Sequence, residues 1–335
     1  FSTLVGGIAE GRGIDADRVR ALIDGAPYGA RAAVEAGLVD DCLYPDQVEE
    51  ALEELTSAGH PVQWVDAPTY SSFRASDRGL RPLLGDFPRI AYVVAEGAIH
   101  RGGGLRGVAS EVYRTLLERI REDERVRGVV LRIDSPGGDG VASDLLWRAV
   151  HQVRGEKPGV VSMGDVVASG AYYVAVGADA ILAEPGTVTG SIGVVGGKVN
   201  LAGFYQRIGV GRDAVERGAR AGLLSEARSF TPDERSAVRD EMKAIYELFL
   251  ERVAEGRSMT RDQVNRVAQG RIWSGRRATS LGLVDGLGGP LEALLEVRQR
   301  AGIAPDESIL LDVHPRLPRI PGELALIRSL IPRGR

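Results

Sequence analysis

Cysteine, lysine and histidine are all scarce in this chain of 335 residues. A single cysteine, Cys42, excludes an intramolecular disulfide. Four histidines with no clustered spacing argue against a zinc site. Only three of the 42 basic residues are lysines, namely Lys157, Lys198 and Lys243. Any chemistry that needs a deprotonated amine therefore has few candidates here. Long apolar runs are also missing. The longest uncharged apolar stretch, 166–178, is shorter than the roughly 20 residues of a membrane-spanning helix, and no signal-peptide pattern is present. Basic blocks are absent and the net charge is -4, so nothing points to a nucleic-acid partner. What remains is 44% hydrophobic and 26% charged, the composition of a globular chain long enough for about two domains.

The chain repeats itself. Residues 9–40 read AEGRGIDADRVRALIDGAPYGARAAVEAGLVD, and residues 254–285 read AEGRSMTRDQVNRVAQGRIWSGRRATSLGLVD. At a constant offset of 245, 13 of the 32 positions are identical. Two alanine-rich helical segments can look alike by composition, but a shared GLVD at a fixed distance from a shared AEGR is more than composition. The second copy follows about 165 residues of α/β pattern that start near Pro88, whereas eight residues precede the first. The expectation is that the first copy's α/β body lies upstream of Phe1, making this chain the C-terminal part of a longer tandem-repeat protein.

Pattern and punctuation divide the chain into four parts. Residues 1–58 read as the helical end of a first repeat, with Asp15 capping a helix to about Asp24 and further helices at 29–36 and 45–58. Residues 59–87 hold Pro, Ser and Gly without a period and read as a linker. Residues 88–304 form the second repeat, and 305–335 a C-terminal strand and tail with an apolar face at Leu324, Ile327 and Leu330. In the second repeat, strands are predicted at 90–95, 128–134, 158–163, 180–183, 192–195 and 212–216. Helices at 109–122, 141–154, 169–177, 199–207 and 232–255 alternate with them. The fold class is α/β, a mostly parallel wound sheet with flanking helices.

Three segments at the C-terminal ends of predicted strands could carry chemistry, since open α/β sheets place their sites there. In Asp134-Ser135-Pro136-Gly137-Gly138-Asp139 the glycines leave backbone N–H groups free to meet a negative oxygen, although taken alone a plain tight turn explains them better. In Ala168-Ser169-Gly170-Ala171-Tyr172-Tyr173 a serine opens an apolar helix, where a developing oxyanion is stabilised. An ordinary N-cap serine fits that pattern as well. In Thr187-Val188-Thr189-Gly190-Ser191-Ile192-Gly193-Val194-Val195 a strand could line a peptide-binding groove and deliver Ser191, although taken alone a β-hairpin or edge strand explains it better.

Taken together, SPGG, ASGxYY and TGSIG, with 32 residues from Gly137 to Ser169 and 22 from Ser169 to Ser191, resemble the signal peptide peptidase A (protease IV) family. The downstream GRIWSGRRATSLGLVDGLG extends the resemblance across nearly the whole chain. It implies a Clp/crotonase-like wound sheet and a serine endopeptidase with a Ser/Lys dyad that degrades cleaved signal peptides. Ser169 would be the nucleophile and Ser191 the residue that orients the base. Gly170 with Gly137 or Gly138 would form the oxyanion hole. No cofactor or metal is implied. The base departs from the pattern. In the short form of the family a lysine follows the TGS strand by about thirty residues, and here Ala221 stands there. In the long, duplicated form the lysine comes from the first copy, which places it upstream of Phe1. The three lysines present are expected to be solvated. Ala171, often glycine in the family, is a smaller departure.

The resemblance further implies a ring-like homotetramer. It also implies a bacterial envelope location outside the cytoplasm, with a membrane anchor upstream and signal-peptide remnants as substrates. Three other readings compete. A Clp-type protease needs a histidine soon after the nucleophile, and only His314 follows Ser169. A crotonase-type acyl-CoA enzyme would use glycine-turn oxyanion holes without needing Ser169. A non-catalytic scaffold would have no reason to keep SPGG, ASG and TGS intact.

Overall fold

The computed structural model of the protein describes residues 1–56, 87–104 and 106–315. The linker expected at 59–87, apart from residue 87, and the tail at 316–335 lie outside them. The chain divides into two compact units, one drawn from 1–83 and 193–251, the other from 84–192 and 252–335.

In chain order the elements begin with α1 (Ser2–Arg12), α2 (Ala16–Gly25), α3 (Ala30–Glu35) and α4 (Pro45–Thr56). Next come β1 (Arg89–Glu96), β2 (Ile99–His100), β3 (Val108–Ala109), α5 (Ser110–Glu122), β4 (Val126–Ser135) and α6 (Gly140–Glu156). Then follow β5 (Gly159–Ala168), α7 (Gly170–Ala175), β6 (Ala180–Ala183), β7 (Val188–Gly190), α8 (Ala202–Arg207) and α9 (Pro232–Arg257). The chain continues through α10 (Arg261–Val267), β8 (Ile272–Ser274), α11 (Gly275–Ser280), β9 (Gly286–Leu287), α12 (Pro290–Arg300) and β10 (Leu310–His314).

The second unit is built on a parallel sheet in the order β10-β1-β4-β5-β6-β9, with β7 paired to the end of β5 and β8 antiparallel to β7. The central strands are β-branched and buried, as parallel strands covered on both faces must be. Ile90, Val130, Val160 and Ala180, from four adjacent strands, meet Ala293 and Val297 of α12 in one apolar cluster. Gly128 makes the close approach possible, because a Cβ there would sit 2.7 Å from Val297 Cγ2. Helix α5 buries Tyr113, Leu117 and Ile120, a spacing that keeps one helical stripe on the sheet.

Several expected elements differ. The strand predicted at 192–195 is irregular chain, and pairing falls instead on β7, just before it. The Thr187 and Thr189 hydroxyls explain this, since they donate to Gly164 O and Val167 O at 2.8 and 2.7 Å and fasten that segment to β5. No strand forms at 212–216, where Val215 is 97% exposed. Strand β5 continues to Ala168 rather than turning after Met163. Helix α1 had no counterpart in the sequence pattern. Asp15 does cap α2, its carboxylate accepting from the Asp17 and Arg18 amides at 2.9 Å.

The two segments that repeat in sequence carry the same hydrogen bonds. Arg12 donates to Gly37 O and both oxygens of Asp40, and Arg257 donates to Gly282 O and both oxygens of Asp285, every residue shifted by 245. Helices α3 and α11 match end to end at that offset. Gly13 and Ser258, and likewise Gly37 and Gly282, have positive φ. The clamps differ in burial. The Arg257 side chain is 9% exposed and that of Arg12 27%, while Asp40 is 90% exposed against 40% for Asp285.

Two predictions follow from these contacts. Arg257→Ala should destabilise the second unit by about 2 kcal/mol in chemical denaturation, below the full cost of breaking a buried pair because Asp285 still reaches water. Arg12→Ala should shift the transition by less.

The second prediction concerns the first unit, where Glu234 is buried and accepts from Arg228 Nη2 at 2.6 Å, Arg228 Nη1 at 2.7 Å and the Thr231 amide at 2.8 Å. Arg228 foremost holds its carboxyl down at about 2, against the burial that opposes it. A depressed carboxyl stabilises the fold above its unfolded value and loses that contribution as pH falls through its folded value. The stability advantage of the native protein over Glu234→Gln should therefore be full near neutrality and shrink between pH ~4.5 and ~2. A constant difference across that range would show that the pair does not act this way.

Candidate active site

Strands β4 and β5 fall out of step at their C-terminal ends. Ile133 faces Met163 and Ser135 faces Val167, so two steps along β4 match four along β5. The extra residues bulge around Asp134, whose carboxylate accepts from the Val166 amide at 3.1 Å. Gly164 is required there, since a Cβ would lie 2.8 Å from Asp134 Cβ. The bulge carries β5 beyond the end of β4, and Ala168 then pairs with Gly190 of β7.

Ser169 follows directly, at the N-cap of α7, with φ 53 and ψ -123. It is one of four non-glycine residues with positive φ among the described residues, and Ser191, at φ 49, is another. Both motif serines are thus held in a conformation that costs L-residues energy and persists only where the surroundings enforce it. The Ser169 amide donates to Gly190 O at 2.9 Å, which puts Ser191 one residue beyond that register point. The Ser191 amide donates to Arg271 O at 2.7 Å, and the Gly270 amide donates to Ile192 O at 2.9 Å. Trp273 fixes this edge from β8, its indole N–H donating to Val267 O at 2.9 Å.

The Gly137–Gly138 turn lies against the Ser169 turn. A Cβ on Gly137, whose φ is +94, would sit 2.6 Å from the Gly170 amide and 3.0 Å from Ser169 Cβ. A Cβ on Gly170 would collide with Ser143 Oγ and stand 3.3 Å from the Gly138 amide. Gly138 allows β2 to pair alongside, because a Cβ there would collide with Ile99 O. Ile99 donates to Gly137 O at 2.9 Å and accepts from the Asp139 amide at 3.0 Å, and Ser135 Oγ accepts from the Gly137 amide at 3.1 Å. Asp139 then caps α6 through the Ala142 amide at 2.9 Å. Ser169, Gly170, Gly137, Gly138 and Ser191 are therefore brought to one place in the second unit. The arrangement offers a hydroxyl on a strained turn with backbone amides beside it. Ser143, buried under Gly170, had no distinguishing pattern in the sequence, and Asp134, which opens the first candidate segment, gave no sign there that it would pin the bulge.

The lysines are engaged elsewhere, and the expectation that all three are solvated is corrected. Lys157 Nζ donates to Ile120 O at 2.8 Å and Asp123 O at 2.6 Å, closing the C-terminal end of α5, and burial lowers its pKa. It lies before β5, while Ser169 follows the other end of that strand, roughly 30 Å away at about 3.3 Å per residue. Within the first unit Lys198 is half-buried, donates to Leu223 O at 2.8 Å and stands 4.5 Å from the Phe230 ring centroid. Lys243 is exposed, as expected. His314 sits on β10, three strands from β5 in the sheet order, too far to serve Ser169. Among the described residues no cluster of His, Cys, Asp or Glu could hold a metal ion, and no helix is long and apolar enough to cross a membrane.

Residues 151–304 match the model of peptidase family S49. The chain is 36% identical to the chloroplastic serine protease SPPA of Arabidopsis thaliana over 319 residues, covering 93% of this chain and 47% of that protein. It therefore spans about half the length of that relative. It is also 33% identical to the putative protease slr0021 of a Synechocystis strain, over 70% of this chain and 83% of that protein. Among solved structures, the ClpP1 N165D mutant from Listeria monocytogenes aligns with 61% of this chain and 94% of its own at a TM-score of 0.41 and 15% identity. With the S49 model spanning the Ser169 and Ser191 turns, and most of the Synechocystis relative covered, the chain belongs to peptidase family S49, the signal peptide peptidase A family.

Proposed function

We propose that the protein is a serine endopeptidase in which Ser169 is the nucleophile. The observation that carries this reading is the positive φ of Ser169 on a turn whose backbone abuts Gly137 and Gly138. That turn lifts the hydroxyl out of ordinary capping, since Ser169 makes no side-chain cap hydrogen bond to α7. In the reaction the Ser169 hydroxyl attacks the scissile carbonyl as a base takes its proton. The amides of Gly170 and Gly138 then stabilise the oxyanion that forms, since the Gly137 amide already donates to Ser135 Oγ. Ser191, the residue after Gly190, whose carbonyl accepts from the Ser169 amide, orients that base. A crotonase-type reading leaves the strained serine without a task.

The base is a lysine supplied by residues that precede Phe1 in the full-length protein. The engagement of Lys157 and Lys198 with backbone carbonyls supports this, as does Ala221 at the position where the family resemblance implies a lysine in the short form. Such a lysine must lose several units of pKa to act as a base, which burial accomplishes. The same reading makes the protein a tandem duplication, with the hydrogen bonds shared between 9–40 and 254–285 as its trace. Its substrates are peptides, the remnants of cleaved signal peptides, and it works as a homotetramer anchored at the bacterial cell envelope.

A fluorophosphonate probe tests the nucleophile. In the full-length protein it should label Ser169, and Ser169→Ala should abolish labelling and lower kcat by several orders of magnitude while the fold is kept. Labelling at another serine, or near-normal turnover by a folded Ser169→Ala protein, would remove Ser169 from the mechanism.

Ser191→Ala should be milder, a loss of roughly 10²–10⁴ in kcat with a displaced acidic limb of the pH–rate profile, where the base must lose its proton. An unchanged profile would contradict its orienting role.

A further inference from the structure

Two turns from different strands must hold their amides side by side if one oxyanion is to meet both. The Gly137–Gly138 turn follows β4 and leads into α6, and the Ser169–Gly170 turn follows β5 and leads into α7. Ser143 stands at their junction. It rises from the opening turn of α6 and is fully buried. Its hydroxyl donates to Asp139 O at 2.8 Å. A Cβ on Gly170 would collide with Ser143 Oγ, and would stand 3.3 Å from both Ser143 Cβ and the Gly138 amide.

The residue that Ser143 grips is fixed on its other sides. The Asp139 amide donates to Ile99 O at 3.0 Å, and the Asp139 carboxylate accepts from the Ala142 amide at 2.9 Å and pairs with Arg101 Nε at 3.0 Å. Asp139 O also accepts from the Ser143 amide at 3.0 Å, the ordinary helical bond, so that carbonyl is satisfied without the hydroxyl. Helix formation does not call for the hydroxyl either, since alanine is the better helix former. A serine bonded back to the carbonyl four residues earlier is common in helices and by itself says nothing. What sets Ser143 apart is that its oxygen, pinned by that bond, meets the backbone of the opposing turn at Gly170, a position open to no residue with a Cβ.

We propose that Ser143 is a positioning residue for the oxyanion hole: its pinned hydroxyl holds the Gly170 turn at the distance from Gly138 at which both amides reach one oxygen. This rests on the reading of Ser169 as nucleophile given above. The effect falls on stabilisation of the oxyanion, not on proton transfer by the base.

Kinetics of Ser143→Ala in the full-length protein test this. Its kcat should fall roughly 10- to 100-fold, less than the loss of a whole oxyanion donor, because both amides remain and only their spacing relaxes. The Ki of a peptide aldehyde, whose tetrahedral adduct with Ser169 places an oxygen in the hole, should rise by the same factor as kcat/KM falls. Binding of uncleaved peptide, compared with and without Ser143→Ala in a Ser169→Ala background, should change less than about 2-fold. The acidic limb of the pH–rate profile should stay in place, which separates Ser143 from Ser191. Full kcat in a folded Ser143→Ala protein would overturn the proposal. So would a loss of kcat with an unchanged aldehyde Ki, with equally weakened peptide binding or with a displaced acidic limb. If Ser143→Ala does not fold, Ser143→Cys takes the same measurements, its larger sulfur pressing on Gly170 and its weaker donor loosening the pin, and the same outcomes decide. A missing fluorophosphonate label at Ser169 in the unmutated protein would instead sink the reading of the nucleophile. Labelling of Ser169 together with full turnover by Ser143→Ala would sink this inference alone.

Discussion

The close approach of two glycine-bearing turns depends on the bulge that Asp134 holds in β5. Without the extra residues opposite Asp134, Val167 and Ala168 would fall out of register with Ser135 and Gly190, and the Ser169 turn would not lie on Gly137. The bulge is possible because Gly164 leaves room for the Asp134 side chain and the carboxylate satisfies the Val166 amide. A buried amide left without an acceptor would cost free energy comparable to a lost hydrogen bond. The same carboxylate thus permits the irregularity and ends it.

Around that point the site is assembled mostly from backbone. Gly137, Gly138 and Gly170 each occupy a position where a Cβ would strike another part of the site. Thr187, just before β7, and Thr189 within it donate to β5 carbonyls, so the strand that leads into Ser191 is a fixture of the sheet rather than a loose loop. Backbone groups held this way need little reorganisation when charge develops, which is the condition for strong electrostatic stabilisation.

The Arg–Asp clamps show one local solution used in two environments. Arg12 and Arg257 each close a GLVD turn with the same three hydrogen bonds, yet the first clamp faces solvent and the second is more buried. Local sequence is enough to specify the clamp, because its partners are 25 and 28 residues apart within one helical segment. Whether it is buried depends on what packs over it.

The candidate residues were legible in the sequence where they answer local needs: Gly137, Gly138 and Gly170 for tight turns, Ser169 for a helix start, Asp15 for a cap. Alternation of short β-branched runs with helical periods was enough for a wound parallel sheet. The bulge in β5, the pairing of β7 in place of 192–195, and the engagement of Lys157 and Lys198 by carbonyls were not legible. Each depends on a partner brought near by the chain's return rather than by its neighbours. Sequence by itself determined which residues could turn, cap and repeat, since those properties live in backbone angles and short-range hydrogen bonds. Only the tertiary structure decided which turns meet, which of two like clamps is buried and which lysines are occupied, since these follow from long-range register and packing.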